Sequence, residues 1–239
     1  FFGWNLDLFS PESVEIVDDG QVSGLAHVRY VGKTVAFHFA DSVIAGFLNL
    51  DPPDLRLTYD YTLGPDDRAL TLNVTFHNEH DSVVFMDWPV VFGHAGDGAF
   101  PYAPGTGFGD SNGLSLPYHG LSGREAAYAL VSDYDDLTSF YTYAGVSLVQ
   151  VDSFEVLPTS ELMRTFYFVA SAQGPSGLDA GRRAVLGSAE DTWPVSGTVS
   201  LPTTATPETS WAVVRDEDGG VATITPLDTD GRFEVTLTA

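Results

Sequence analysis

A chain of 239 residues can bury about 70–75% of the surface its unfolded form would expose, so it needs neither a metal nor a crosslink to fold. Ten Lys and Arg against 33 Asp and Glu give a formal net charge of −23, which repels phosphate backbones and anionic lipid and excludes nucleic-acid binding. Zero cysteines exclude disulfides, thiolate metal sites and cysteine nucleophiles, and no apolar run reaches the ~18 residues of a membrane-spanning helix, so no membrane insertion is expected.

Sixteen Phe and ten Tyr, set in β-branched runs broken by 24 Gly and 14 Pro, predict an all-β fold. Strands are expected at 14–17, 25–31 and 34–39. Over 55–63, Leu55, Leu57, Tyr59 and Tyr61 alternate with Arg56, Thr58, Asp60 and Thr62. Over 69–77, Leu70, Leu72, Val74 and Phe76 alternate with Thr71, Asn73, Thr75 and His77. Period-two alternation marks half-buried strands, and the turn residues Gly64-Pro65-Asp66-Asp67 join the two into a hairpin. A strand at 83–92 follows. The stretch 93–123 holds nine glycines and three prolines and reads as one long loop, with Phe100, Tyr102 and Phe108 expected to be buried and to pin it.

Further strands are expected at 126–131, 139–143, 146–151 and 162–170. The connector 171–192 carries at most one short helix, and a boundary near Trp193-Pro194 separates a domain of residues 1–192 from one of residues 193–239. The second has strands at 195–201, 210–215, 221–225 and 232–238, with Trp211, Val213, Phe233, Val235 and Leu237 facing inward. About 45 residues make a thin core. The expected fold is therefore a large antiparallel β-sandwich followed by a small, incomplete one, whose last strand leaves an open edge that invites self-association. The apolar start Phe1-Phe2-Gly3-Trp4 is a candidate donor strand. That start has neither an initiator Met nor a signal peptide, and the chain is expected to derive from something longer.

Val195-Ser196-Gly197-Thr198-Val199 and Asp228-Thr229-Asp230-Gly231-Arg232-Phe233-Glu234-Val235 resemble an Ig-related, transthyretin-like (carboxypeptidase-regulatory-like) sandwich that lacks its last strands. Val17-Asp18-Asp19-Gly20, Tyr59-Asp60-Tyr61-Thr62-Leu63 and Pro104-Gly105-Thr106-Gly107-Phe108-Gly109 are similar to the β-sandwich that precedes such a domain in secreted bacterial proteins ending in a PHP-type metallohydrolase domain. The hydrolase's histidine clusters have no counterpart, so the resemblance implies an accessory region, at the cell surface or outside the cell, beside a following domain. In architecture, the long strands and aromatic content also resemble galactose-mutarotase-like supersandwiches.

His77, His80 and His94, with Glu79, Asp81 and Asp87 nearby, offer imidazole and carboxylate for a metal or for acid–base work on a sugar, but their spacing fits no zinc motif. Exposed turn and rim histidines are the plainer reading. Asp216 with Asp218, Asp228 with Asp230, and Asp133 with Asp135 and Asp136 offer oxygens to calcium, although none completes an EF-hand pattern; ordinary Asp-Gly turns explain them as well. Calcium is the only cofactor these residues suggest. Trp88, Phe100, Tyr102, Phe108 and Tyr118 could stack on sugar rings, with His94 nearby, or serve only to anchor the chain. No G-x-S-x-G elbow occurs, and Gly105-Thr106-Gly107-Phe108-Gly109 carries no lysine to cradle a phosphate.

These residues point to a non-catalytic extracellular module that binds a glycan, a neighbouring domain or another copy of itself. One alternative is a carbohydrate-active enzyme of mutarotase-like fold, with Glu155 as base beside one of the three histidines. Another is a structural subunit of a filament or surface layer.

Overall fold

The computed structural model describes residues 9–34, 54–86, 90–95, 100–109, 111–123, 126–134, 136–143, 146–188, 192–202 and 204–238. The strand expected at 34–39, Trp88 and the apolar start lie outside these residues, apart from Thr34. In chain order the first strands are β1 (Phe9–Asp19), β2 (Ala26–Thr34), β3 (Arg56–Leu63), β4 (Ala69–Asn78), β5 (Val84–Met86) and β6 (Val90–Ala95). Next come β7 (Phe100–Ala103), β8 (Gly107–Phe108), β9 (Ser115–Leu116), β10 (Tyr118–Ser122), β11 (Ala127–Ser132) and β12 (Leu137–Tyr143). Then follow β13 (Val146–Gln150), β14 (Phe154–Val156) and β15 (Ser160–Ser171). Helix α1 (Pro175–Leu186) precedes β16 (Thr192–Thr198), β17 (Trp211–Arg215), β18 (Val221–Pro226) and β19 (Arg232–Thr238).

Among the described residues, nine strands form one antiparallel sheet in the order β1-β2-β3-β4-β15-β11-β10-β7-β8. The β3–β4 hairpin forms as its alternation predicts, with Leu57 opposite Phe76 and Tyr59 opposite Val74. Its turn is closed by the Asp67 carboxylate, which accepts the Gly64 N–H at 2.6 Å. A second sheet, β6-β13-β12-β9, and the β14-β5 pair supply the opposing layer. Between the layers, Leu57, Val74, Phe76, Leu130 and Phe166 of the large sheet pack with Leu137, Val149, Phe154 and Val156. Among the described residues the protein is an all-β sandwich with one α-helix.

The stretch 93–123 is not a loop. It holds the end of β6 and all of β7 to β10, and β10 pairs with β11 from Tyr118↔Val131 to Ser122↔Ala127, inside the large sheet. Glycine weakens a strand in isolation, yet here it serves packing: a Cβ on Gly120 would meet the Leu178 side chain at 3.0 Å. Aromatic anchoring is divided. Tyr102 is 1% exposed, whereas Phe100, at the end of the β7–β10 pairing opposite Ser122, is 64% exposed and Phe108 36%.

Helix α1 lies against the outer face of the large sheet. Ala69, Ala127, Ala129, Val131 and Val169 form that face, and Leu178 of the helix packs into it together with Val221 and Ile224 of β18. The C-terminal strands make two ribbons, β16-β19 and β17-β18, and the second completes this core. Val235 is buried as expected, but Val213 is 47% exposed and Ala212 is buried instead. The reason is that β17 is the outer strand of its ribbon, so Val213, level with the buried Ile224, lies at an open margin.

Candidate functional site

Among the described residues, helix α1 and β18 cover only part of the outer face of the large sheet. Over β2, β3, β4 and β15 the residues that alternate away from the inner core line an open groove of about 420 Å³, formed by Arg29, Val31, Thr58, Asp60, Thr75 and His77, with Arg56, Glu79 and Glu161 at its sides. Antiparallel register sets them level: Arg29 stands opposite Asp60, Thr58 opposite Thr75, and His77 opposite both Arg56 and Glu161.

Two polar rows result. In the first, the Asp60 carboxylate accepts hydrogen bonds from Arg29 Nε at 2.8 Å and Arg29 Nη2 at 3.3 Å, and its Oδ1 lies 2.6 Å from His27 Nε2. Burial works to raise the pKa of this carboxyl, but the hydrogen bonds from Arg29 and His27 outweigh it and hold the group below the ordinary aspartate range. In the second, His77 places Nδ1 2.8 Å from Glu161 Oε1 and Nε2 3.0 Å from Thr58 Oγ1. Both ring nitrogens are engaged, so the imidazole is fixed in orientation. Next to these rows, Thr165 donates to Asn73 Oδ1 at 2.9 Å. The face is thus a preorganised array of donors and acceptors, of the kind that complements hydroxyl-rich ligands.

His77 and His80 make separate contacts. Asn78 is buried, donates its amide to the Ser82, Val156 and Leu157 carbonyls and accepts the His80 N–H, which turns the chain at 78–81. His80 is not among the groove-lining residues; its Nε2 lies 3.0 Å from the Asp54 carbonyl oxygen and 3.3 Å from the Asp54 carboxylate. His94 lies on β6, in the second sheet; its side chain is outside the described residues. Among the described residues no three His, Asp or Glu side chains converge to hold a metal ion. The aspartate pairs serve turns: Asp216 accepts the Gly220 N–H at 2.7 Å, and Asp228 accepts those of Asp230 and Arg232. Asp230 pairs with Arg232, and Asp218 is exposed between these contacts.

Among the stacking candidates, Tyr102 and Tyr118 are corrected to core residues: each is 1% exposed and offers no ring face to a ligand. The Tyr118 hydroxyl donates to Asp179 Oδ1 at 2.6 Å, and Thr223 donates to Asp179 Oδ2. Burial raises the pKa of Asp179 despite those two hydrogen bonds. Phe100 and Phe108 remain accessible, with Phe108 edge-on to Trp211 at 5.5 Å. Glu155 stands on β14 opposite Phe85, in the pair that faces the inner core and outside the groove lining. His119, not singled out in the sequence, is buried, with Nε2 donating to the Leu137 carbonyl at 2.8 Å, and is structural.

Asp60, Arg29, Thr58 and Glu161 were missed as site residues. The signal for Thr58 and Asp60 was present in the polar phase of the alternation in 56–62, whereas Arg29 and Glu161 reach the same surface from β2 and β15 through cross-strand register.

No family model matches the sequence, and no curated protein matches it. Among solved structures, a variant of the GH36 α-galactosidase AgaA from Geobacillus stearothermophilus, in complex with 1-deoxygalactonojirimycin, is similar over 72% of this chain and 29% of its own, with 11% identity and a TM-score of 0.43. A TPR-domain containing protein from Parabacteroides distasonis is similar over 67% of this chain and 34% of its own, with 8% identity and a TM-score of 0.40. A galactose mutarotase-like protein from Lactobacillus casei is similar over 61% of this chain and 70% of its own, with 11% identity and a TM-score of 0.34. The chain thus spans under a third of the galactosidase it resembles.

Proposed function

We propose that this chain is a non-catalytic β-sandwich module that binds glycan in the open groove of its large sheet. Its place is outside the cell or on its surface, as an accessory region beside a further domain. The observation that carries this reading is the pair of fixed rows, Arg29–Asp60–His27 and Thr58–His77–Glu161, on a sheet face that no described element covers. Sugars present many hydroxyls of fixed direction, and a rigid set of carboxylate, hydroxyl and guanidinium groups, held in place by the imidazoles, can pair with them without ordering a loop. The enzymatic alternative gains no support from this site: Glu155 stands outside it, and the imidazole of His77 has both nitrogens occupied.

Titration calorimetry of the full chain against a panel of soluble oligosaccharides tests the reading, with Thr75→Trp as the blocked variant. Thr75 lies in the groove floor between Thr58 and Met163, on the face turned away from the inner core, so a large ring there fills the groove. Binding by the parent chain and its loss in Thr75→Trp, with unchanged circular dichroism, is the expected result. Binding that persists in Thr75→Trp, or no binding to any member of the panel, would refute it.

A further inference from the structure

Ten cations in a chain with 33 acids make their placement informative. Three of the ten, Arg29, Lys33 and Arg56, share one face of the adjacent strands β2 and β3. Lys33, the sole lysine of the sequence, is the cross-strand partner of Arg56. Like charges directly opposite each other destabilise a sheet, so this pair is a local cost in a protein otherwise rich in acids to set against it. The acid paired with Arg56 is Glu12, 3.7 Å away, and both side chains are nearly half exposed; such contacts contribute little and are readily exchanged. The other charges of the groove are largely engaged. Asp60 is taken by Arg29 and His27, and Glu161 by His77, which leaves Glu79 exposed at one side.

Resting on the glycan reading above, we infer that the groove selects acidic sugars: a uronate carboxylate is taken by Arg56 and Lys33, while ring hydroxyls meet the Thr58–His77–Glu161 row. A guanidinium fork matches a carboxylate in two parallel hydrogen bonds, and the neighbouring ammonium adds a second positive charge. The net charge of −23 does not prevent this, because exposed charges beyond about 8 Å are largely screened at physiological ionic strength. Near charges then matter most, and Arg56 at the groove's side and Lys33 opposite it on β2 are two of them.

The test is calorimetric titration of the full chain with an oligogalacturonate and with the same oligosaccharide fully methyl-esterified, which keeps the ring hydroxyls and removes the charge. The acid is expected to bind about tenfold more tightly than the ester, the scale of one charge-assisted hydrogen bond. The double variant Lys33→Gln with Arg56→Gln should bring that ratio close to one. Ester binding equal to acid binding, or a preference that survives the double variant, overturns the inference while leaving the glycan reading intact. So does binding of other neutral glycans, blocked by Thr75→Trp, when neither probe binds. Absence of binding to every glycan overturns both.

Discussion

Gly181→Ala sets helix propensity against packing. In an exposed helix interior this change is worth about 1 kcal/mol in favour of alanine. Here Gly177 and Gly181 lie one turn apart on the buried side of α1, and a Cβ on either would overlap β15, at Ser171 and Val169 respectively. Val169 is 1% exposed and packed among Ala69, Ala129 and Leu178, so it has no room to yield. The helix must lift instead. Overpacking of a tight core costs about 1–3 kcal/mol. Lifting the helix also forfeits part of the ~2–3 kcal/mol that full burial of Leu178 contributes. After subtraction of the propensity gain, a net loss on the order of 1–3 kcal/mol is expected. Urea unfolding followed by tryptophan fluorescence measures it, and the double-mutant cycle with Val169→Ala isolates the contact. With the valine methyls removed, Gly181→Ala should become neutral or stabilising. A Gly181→Ala protein more stable than the parent, or a cycle with no coupling, would refute the close-packing argument.

Asp179→Asn keeps one acceptor oxygen, for Tyr118, turns an amide NH2 toward the Thr223 hydroxyl, which can rotate to accept it, and removes a carboxyl whose folded pKa is raised by burial. A raised carboxyl favours the neutral form, so its contribution is complete below the ordinary value of 3.8 and is lost as pH rises through the folded value. The parent's urea midpoint should therefore lose this contribution as pH rises above the ordinary value and the variant should lack that decline; identical pH dependence would refute the assignment. Asp228→Ala removes the acceptor of two backbone N–H groups, from Asp230 and Arg232. It should cost about 1 kcal/mol or less, and EDTA should leave the melting temperature of the parent unchanged. A large EDTA effect would show instead that these aspartates hold an ion.

What could be read from the sequence divides along physical lines. The β3–β4 hairpin was legible because burial of one face imposes period two on both strands and its turn residues fix the register. The strands β7 to β10 were not, because Gly107 and Gly120 have no strand preference of their own; they pair with Ala103 and Ala129, and only the pairing of β11 with the distant β15 fixes this ribbon in the large sheet. The histidine group was half legible. His77 is in the groove, but what surrounds it depends on β15, whose Glu161 lies 84 residues further along the chain. The sugar-stacking reading of Tyr102 and Tyr118 failed because an aromatic side chain in a glycine-rich stretch carries no mark of which layer will cover it. Here the cover is α1 and β18, the latter more than 100 residues away.

The seating of β18 on the sheet bears on how this sequence can be inherited. Val221 and Ile224 fill the space against Tyr102, Tyr118 and Leu178, and the Val221 N–H donates to the Gly105 carbonyl at 3.1 Å. A gene fragment ending after α1 would encode a sheet with an apolar hollow open to water. One beginning at β16 would encode two ribbons whose apolar side chains have lost their counterpart. Recombination between the helix and the C-terminal strands would thus cut through a core rather than beside it, and the two stretches are expected to be exchanged between genes as one unit.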